Sequence, residues 1–317
     1  MIFSHRIASV SAVLIAVWWA IPAALGAQAY AIVDSQTGHV LEGKQLTDKR
    51  QVGSLTKVAT AMVVLDWAER KSGDLTQVAS IPPEAFVGTG ENRIGFQPGD
   101  RVSLRDLLYA ALVQSDNIAA YVLAHHVGSQ VPAIVPVANE VRSTPVTPFV
   151  AQMNALAKQL KMEKTRFVNP HGIDENVKPM PVSTAADMVR LTRYAMNKAS
   201  FRFYVSQKQR QISLNRGGKQ LNYLLRNTNE LLGVNNIDGV KTGRTARAGD
   251  CLILSSTREP VVLRNGERAT VFPRHIIVVL LGSPDRFGEG AQMVARGWQL
   301  YDQWVAAGRM VDQKKLL

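Results

Sequence analysis

Gly53-Ser54-Leu55-Thr56-Lys57-Val58-Ala59-Thr60-Ala61 opens a run whose apolar residues continue through Met62, Val63, Val64 and Leu65. These side chains fall on nearly every side of a 3.6-residue repeat, the pattern of a helix buried in the middle of a fold. The spacing predicts a helix over 54–69 with its N-terminus at an interior cleft. Ser54 and Lys57 are three residues apart and so share a face. A lysine buried there loses solvation of its ammonium form and shifts towards the free amine, which can take the proton of the serine hydroxyl. The plainer alternative is that Ser54 caps the helix and Lys57 runs along it to solvent.

Upstream, Tyr30-Ala31-Ile32-Val33-Asp34 and His39-Val40-Leu41 flank Ser35-Gln36-Thr37-Gly38, which reads as a hairpin with glycine in the turn. Downstream, Ser103-Leu104-Arg105-Asp106 begins a helix in which Leu107, Leu108, Ala111 and Leu112 recur at helical spacing, and another helix follows Ser115. Residues 129–148, rich in valine and proline without periodicity, read as a long irregular loop expected to flank the cleft. Amphipathic helices follow over 149–160 and 183–197, the second capped by Ser183 or Thr184. From Ile237 the pattern changes to strands over 237–241, 251–255, 261–263 and 275–281. A last helix closes the chain, with Val294, Trp298, Tyr301 and Val305 on one face. A hairpin alone makes no stable sheet, so the late strands are expected to join the early ones. The expected fold is α/β. An antiparallel sheet of N- and C-terminal strands flanked by helices (about 30–70 and 230–317) faces an all-helical lobe (about 71–229), with the site in the cleft between them.

The chain has 317 residues and 46% hydrophobic content, enough for a sizeable core and unlike a disordered protein. Residues 1–29 differ in kind: His5 and Arg6 precede an apolar run over 7–25, and Ala27-Gln28-Ala29 supplies small residues for processing. This reads as a signal peptide cleaved after Ala29, so the 30–317 region is expected to be exported. Left uncleaved, the run would serve as a membrane tether, since a span takes about 20 apolar residues. The single cysteine, Cys251, excludes an intrachain disulfide, and its apolar neighbours Leu252, Ile253 and Leu254 predict a buried, inert thiol. A net charge of +12 favours an acidic polymer or surface, but the basic residues are scattered and export argues against nucleic acid. No cofactor or metal is expected: His125 and His126 diverge on a helix, and His171 reads as a hydrogen-bonding loop residue.

Two more motifs accompany the Ser54/Lys57 pair, namely Ser115-Asp116-Asn117 in the helical middle and Lys241-Thr242-Gly243 on a late strand. Each short pattern also occurs elsewhere, as Ser213-Leu214-Asn215 and Lys71-Ser72-Gly73. Those copies lie in the wrong order or in a polar, basic stretch. The correct set, together with Pro98-Gly99-Asp100, Asn169-Pro170-His171-Gly172-Ile173-Asp174 and the run from Asp238 to Gly249, resembles the serine-type D-alanyl-D-alanine carboxypeptidases, the low-molecular-weight penicillin-binding proteins.

That resemblance, running from Tyr30 to the last helix, implies a β-lactamase/transpeptidase-like fold and a penicillin-sensitive serine DD-peptidase acting on peptidoglycan stem peptides. It makes Ser54 the acyl-forming nucleophile, Lys57 its base and Ser115 a proton relay, with Asn117 holding Lys57 and the substrate amide. Lys241 would add positive charge that helps keep Lys57 neutral, Thr242 would bind the terminal carboxylate, and Gly243 and Arg244 would join them in binding the substrate. The N–H groups of Ser54 and Arg244 would form the oxyanion hole. Arg286, in the turn after the last strand, falls where the family places a carboxylate-binding arginine. β-Lactams become covalent inhibitors. The lack of an E-x-x-L-N segment between Asn117 and Lys241 predicts a long-lived adduct rather than β-lactamase turnover. Two other functions remain open: an endopeptidase cutting D-alanyl cross-links, which Asn227-Thr228-Asn229 favours, and a non-catalytic cell-wall or penicillin binder.

Overall fold

The computed structural model describes residues 26–70, 74–131, 144–265 and 268–317. Its larger sheet joins both ends of the chain, as expected. Strands β1 (Ala29–Asp34) and β2 (Val40–Lys44) form the early hairpin, and β7 (Ile237–Thr245), β8 (Gly249–Asn265) and β9 (Arg268–Ser283) come from the C-terminal part. The order is β2-β1-β9-β8-β7 with antiparallel neighbours. Alternation sorts the side chains: Ala31, Val33, Ile253, Ile277 and Val279 enter one core, while Ile32, Leu252, Leu254, Ile276, Val278 and Leu280 enter another on the opposite face. Both faces are covered, which is why β9 reads as an unbroken apolar run. Helix α7 (Arg286–Ala306) seals the second face with Met293, Val294, Trp298 and Tyr301, each such burial contributing about 1.5–3 kcal/mol.

The predicted central helix is α1 (Lys57–Arg70), and from Lys57 to Leu65 every residue is buried. It is surrounded by α2 (Leu104–Val113), α3 (Asn117–Gly128), α4 (Val146–Gln159), α5 (Ala185–Met196) and α6 (Ala199–Val205). Side-chain caps set three of these starts: Ser103 accepts from the Asp106 N–H, Asp116 from Ala119 and Thr184 from Asp187.

The second lobe is not all-helical. It also carries a four-stranded sheet in the order β3 (Val78–Ser80), β4 (Arg101–Ser103), β5 (Gln209–Arg216) and β6 (Lys219–Arg226). The β5–β6 hairpin escapes the sequence because only Ile212, Leu214 and Leu225 are buried, with Tyr223 partly buried against the core. Its signal is the Gly217-Gly218 turn, both residues at positive φ, the two-residue connection that suits a twisted hairpin. The segments 251–255 and 261–263 likewise belong to one strand, β8. Its register shifts between Arg258 and Val261, so Pro260 sits at an irregularity where a missing N–H is tolerated.

The expected loop over 129–148 is shorter at its C-terminal end, because α4 already begins at Val146; residues 132–143 lie outside the described residues. Most of the expected signal segment does so too. Ala27, however, is fully buried and Ala29 pairs with Leu281, so a cut after Ala29 would remove the first residue of β1. Among the described residues, no helix is long and apolar enough to cross a membrane.

Candidate active site

Ser54 lies in a 3-10 turn, Gly53–Thr56, that runs directly into α1. Val52 occupies the capping position and no side chain caps the turn, so the capping explanation of Ser54 fails. Its hydroxyl instead meets Lys57 Nζ at 2.8 Å. Two glycine approaches fix the turn from opposite sides. A Cβ on Gly243 of β7 would stand 2.6 Å from the Val52 carbonyl oxygen, and one on Gly172 would stand 2.0 Å from that of Gly53. Gly172 also has φ +90°, which an L side chain resists.

Lys57 is fully buried and its amine has three polar partners. Nζ reaches Ser54 Oγ, Asn117 Oδ1 at 2.6 Å and the His171 carbonyl at 3.0 Å. Burial pulls its pKa down from the ordinary lysine value to about 7, opposed by the negative charge of Asp116. Asp116 is itself lifted to about 6 by burial, against the stabilising Ala119 N–H and the Lys57 charge. The His171 imidazole, pushed down to about 3 by burial and then by Lys57, stays neutral. Asn169 shapes the loop that presents the His171 carbonyl, its Oδ1 accepting from Gly172 N–H at 2.7 Å. Ser115 stands at the N-terminal side of α3 with φ 65°, an uncommon conformation for serine of the kind that gathers at functional sites.

The opposite wall is β7. Lys241 is buried and donates to the Thr242 carbonyl at 3.0 Å. Burial first, then the Lys57 and Arg286 charges, drive its pKa well below the ordinary value. The sequence reading made Lys241 a charge that keeps Lys57 neutral; burial is the leading cause at both amines, which resist being charged together. Thr242 Oγ1 lies 2.7 Å from Thr228 Oγ1. Arg286 is the first residue of α7 rather than part of a free turn. Its guanidinium donates to the Gly243 carbonyl and to Asp250 Oδ1, both at 3.3 Å. A cleft of about 470 Å³ between the walls is lined by Ser54, Ser115, Asn117, Thr242, Gly243, Arg244 and Arg286 among others. Lys57 and Lys241 lie buried behind its surface, so the nine residues expected at the site converge.

A family model for D-alanyl-D-alanine carboxypeptidase, peptidase S11, matches residues 18–264. The chain belongs to the peptidase S11 family. It is 29% identical over 286 residues to the D-alanyl-D-alanine carboxypeptidase DacC of Escherichia coli (strain K12), covering 87% of this chain and 62% of that one. To a D-alanyl-D-alanine endopeptidase of Pseudomonas aeruginosa it is 32% identical over 239 residues, covering 73% of this chain and 68% of that protein. The crystal structure of the Streptomyces K15 DD-transpeptidase superposes with a TM-score of 0.72 at 26% identity, over 87% of this chain and 98% of that one. These likenesses bear out the α/β fold with its antiparallel sheet. The chain thus spans less than two thirds of the length of DacC, and its own activity is argued below.

Three contributions to this S11 site escaped the sequence reading. The His171 carbonyl acts through the main chain, which no side-chain pattern reveals. Asp116 was part of a recognised triplet, but its effect on Lys57 depends on burial. Gln114 and Arg93 line the cleft from positions outside the recognised motifs, and Thr228, singled out only within Asn227-Thr228-Asn229 as an endopeptidase trait, lines it beside them. Of the motif copies set aside, Ser213 sits on β5 with its hydroxyl on Asn222 Oδ1, outside the cleft, and Lys71 lies outside the described residues. Cys251 is buried and its pKa is raised to about 11 by burial, so the thiol is inert as expected.

Proposed function

We propose that this protein is a serine DD-peptidase that cleaves D-alanyl-D-alanine bonds of peptidoglycan stem peptides through an acyl-enzyme on Ser54. The observation carrying this reading is the 2.8 Å contact between the Ser54 hydroxyl and the buried Lys57 amine in an S11 chain. Neutral Lys57 takes the Ser54 proton as Oγ attacks the D-alanyl carbonyl. The N–H groups of Ser54 and Arg244 stabilise the oxyanion, helped by the position of Ser54 at the N-terminal end of α1. A Cβ placed on Gly53 would be 3.0 Å from Arg244 N, so the backbone leading into Ser54 runs close beside that of Arg244. The C–N bond then breaks, and the leaving amine receives a proton relayed by Ser115. Water attacks the ester, returning the hydroxyl to Ser54 and releasing the shortened stem.

Asn117 orients Lys57 and the substrate amide. Thr242 and Arg286 bind the carboxylate of the departing D-alanine, where arginine's paired donors suit two oxygens. β-Lactams acylate the same serine, and the site of action is the periplasm or cell envelope. An export segment would deliver the protein there, and it would become a tether only if retained.

Cleavage of D-alanyl cross-links is the second reading, favoured by the likeness to the Pseudomonas aeruginosa endopeptidase. The test incubates wild type and Ser54→Ala with a pentapeptide ending in D-Ala-D-Ala. D-Alanine release by wild type alone is expected; no release by either protein would contradict catalysis and leave a penicillin-binding protein without turnover.

A further inference from the structure

The chain that leads into β1 is held by a buried carboxylate. Glu289, in the first turn of α7, is 7% exposed. Its Oε1 accepts the N–H groups of Gly26 and of Ala27, the second at 3.2 Å, and its Oε2 accepts the Ser283 hydroxyl. All three donors are neutral, and Glu289 forms no ion pair among the described residues. A buried carboxylate is costly without a positive partner. Lys44, whose ammonium also reaches this segment, donates to the Ala27 carbonyl at 2.9 Å instead.

The segment that Glu289 holds belongs to the fold. Ala27 and Ala29 are fully buried, the Gln28 N–H donates to the Leu281 and Gly282 carbonyls, and Ala29 pairs with Leu281. A cut after Ala29 would discard these contacts and strip the Ala27 donor from Glu289. The sequence offers a second small-x-small site just upstream, Ala24-Leu25-Gly26. Hydrolysis of the Gly26–Ala27 bond preserves the whole anchor. Water's hydroxyl goes to the Gly26 carbonyl carbon, and the Ala27 nitrogen becomes an ammonium at a position 3.2 Å from Glu289 Oε1. Gly26, whose N–H shares that oxygen in the uncut chain, departs with the leader. A Cβ at Gly26 would stand 2.6 Å from Pro284 Cγ, so the uncut chain favours glycine at a position where the cut also needs a small residue.

We propose that the export segment is removed at the Gly26–Ala27 bond, and that the new Ala27 α-ammonium forms a buried ion pair with Glu289 that fastens the start of β1 to α7. The inference concerns maturation and stands apart from the peptidase reading above.

The test expresses the full chain with its own leader in a Gram-negative host and reads the N-terminus of the purified protein by intact mass and Edman sequencing. A start at Ala27 is expected. A start at Gln28 or Tyr30, or a chain that keeps its leader, overturns the cut. Glu289→Gln then tests the pair, because it keeps an oxygen for neutral N–H groups and removes only the charge. The processed variant is expected to melt about 5 °C below wild type, and an unchanged melting temperature overturns the ion pair. A second reading needs wild type alone: the Ala27 amine should resist acetylation in the native protein and react once the protein is unfolded. Equally fast labelling in both states overturns the pair even where the variant fails to fold.

Discussion

Lys57 and Asn117 are joined by a 2.6 Å hydrogen bond from Nζ to Oδ1, while Asn117 Nδ2 donates to the Thr89 carbonyl at 2.7 Å. The two contacts fix the amide, because turning it over would set its NH₂ against the lysine amine and its oxygen against a carbonyl. Asn117 thereby holds Lys57 from the helical lobe while Ser54 meets it from the central turn. Asn117→Asp would place an anion at this contact and raise the Lys57 pKa above about 7. Acylation by labelled penicillin should then need a higher pH, with a loss of about fivefold at pH 7 for a rise of about one unit, the neutral fraction falling from about one half to about one tenth. A pH profile that superposes on wild type would contradict this role.

Asp116 gives the opposite sign. Its negative charge raises the Lys57 pKa, so Asp116→Asn should lower it and move the acid limb of acylation to lower pH. Asparagine keeps an acceptor for the Ala119 N–H, and the melting temperature should change little. Paired pH profiles and melting curves check both statements.

Gly243→Ala tests the close approach of β7 to the serine turn. The new Cβ would stand 2.6 Å from the Val52 carbonyl oxygen and 3.2 Å from Leu55 N, so β7 or the turn must move. Displacements of this size cost reaction rates on the order of 10²-fold when they misplace reacting groups. Acylation should fall by about that factor, and stability by about 1–3 kcal/mol for overpacking. Stopped-flow labelling and chemical denaturation read the two effects separately.

Arg286→Lys keeps a charge but loses the planar pair of donors. D-Alanine release should fall in kcat/KM by about tenfold, mostly through KM, since a charge-assisted hydrogen bond is worth about 1.5–3 kcal/mol. Steady-state kinetics on the pentapeptide decide it; an unchanged KM would remove Arg286 from carboxylate binding.

The elements most readable from sequence were those with a single strong period. α1 could be placed because apolar residues surround it, and β9 because six consecutive core residues fill both faces of the sheet. The β5–β6 hairpin was hidden by its solvent-facing charge, and the continuity of β8 by Glu259-Pro260, which resembles a break. At the site, the nine residues expected from the sequence gather about one cleft, whereas the His171 carbonyl could be found only in three dimensions. Ser54 was placed one turn too far into the helix. The 3-10 geometry of Gly53–Thr56 depends on the tertiary approach of β7 and Gly172, which local propensity does not encode.

The central claim is that Ser54 is the nucleophile activated by Lys57. Its most direct test is intact-protein mass spectrometry after brief exposure to benzylpenicillin, followed by peptide mapping. The account predicts one persistent penicilloyl adduct on the peptide containing Ser54, absent in Ser54→Ala and strongly slowed in Lys57→Met. An adduct that survives in Ser54→Ala, or wild-type protein that never acquires one, would contradict it.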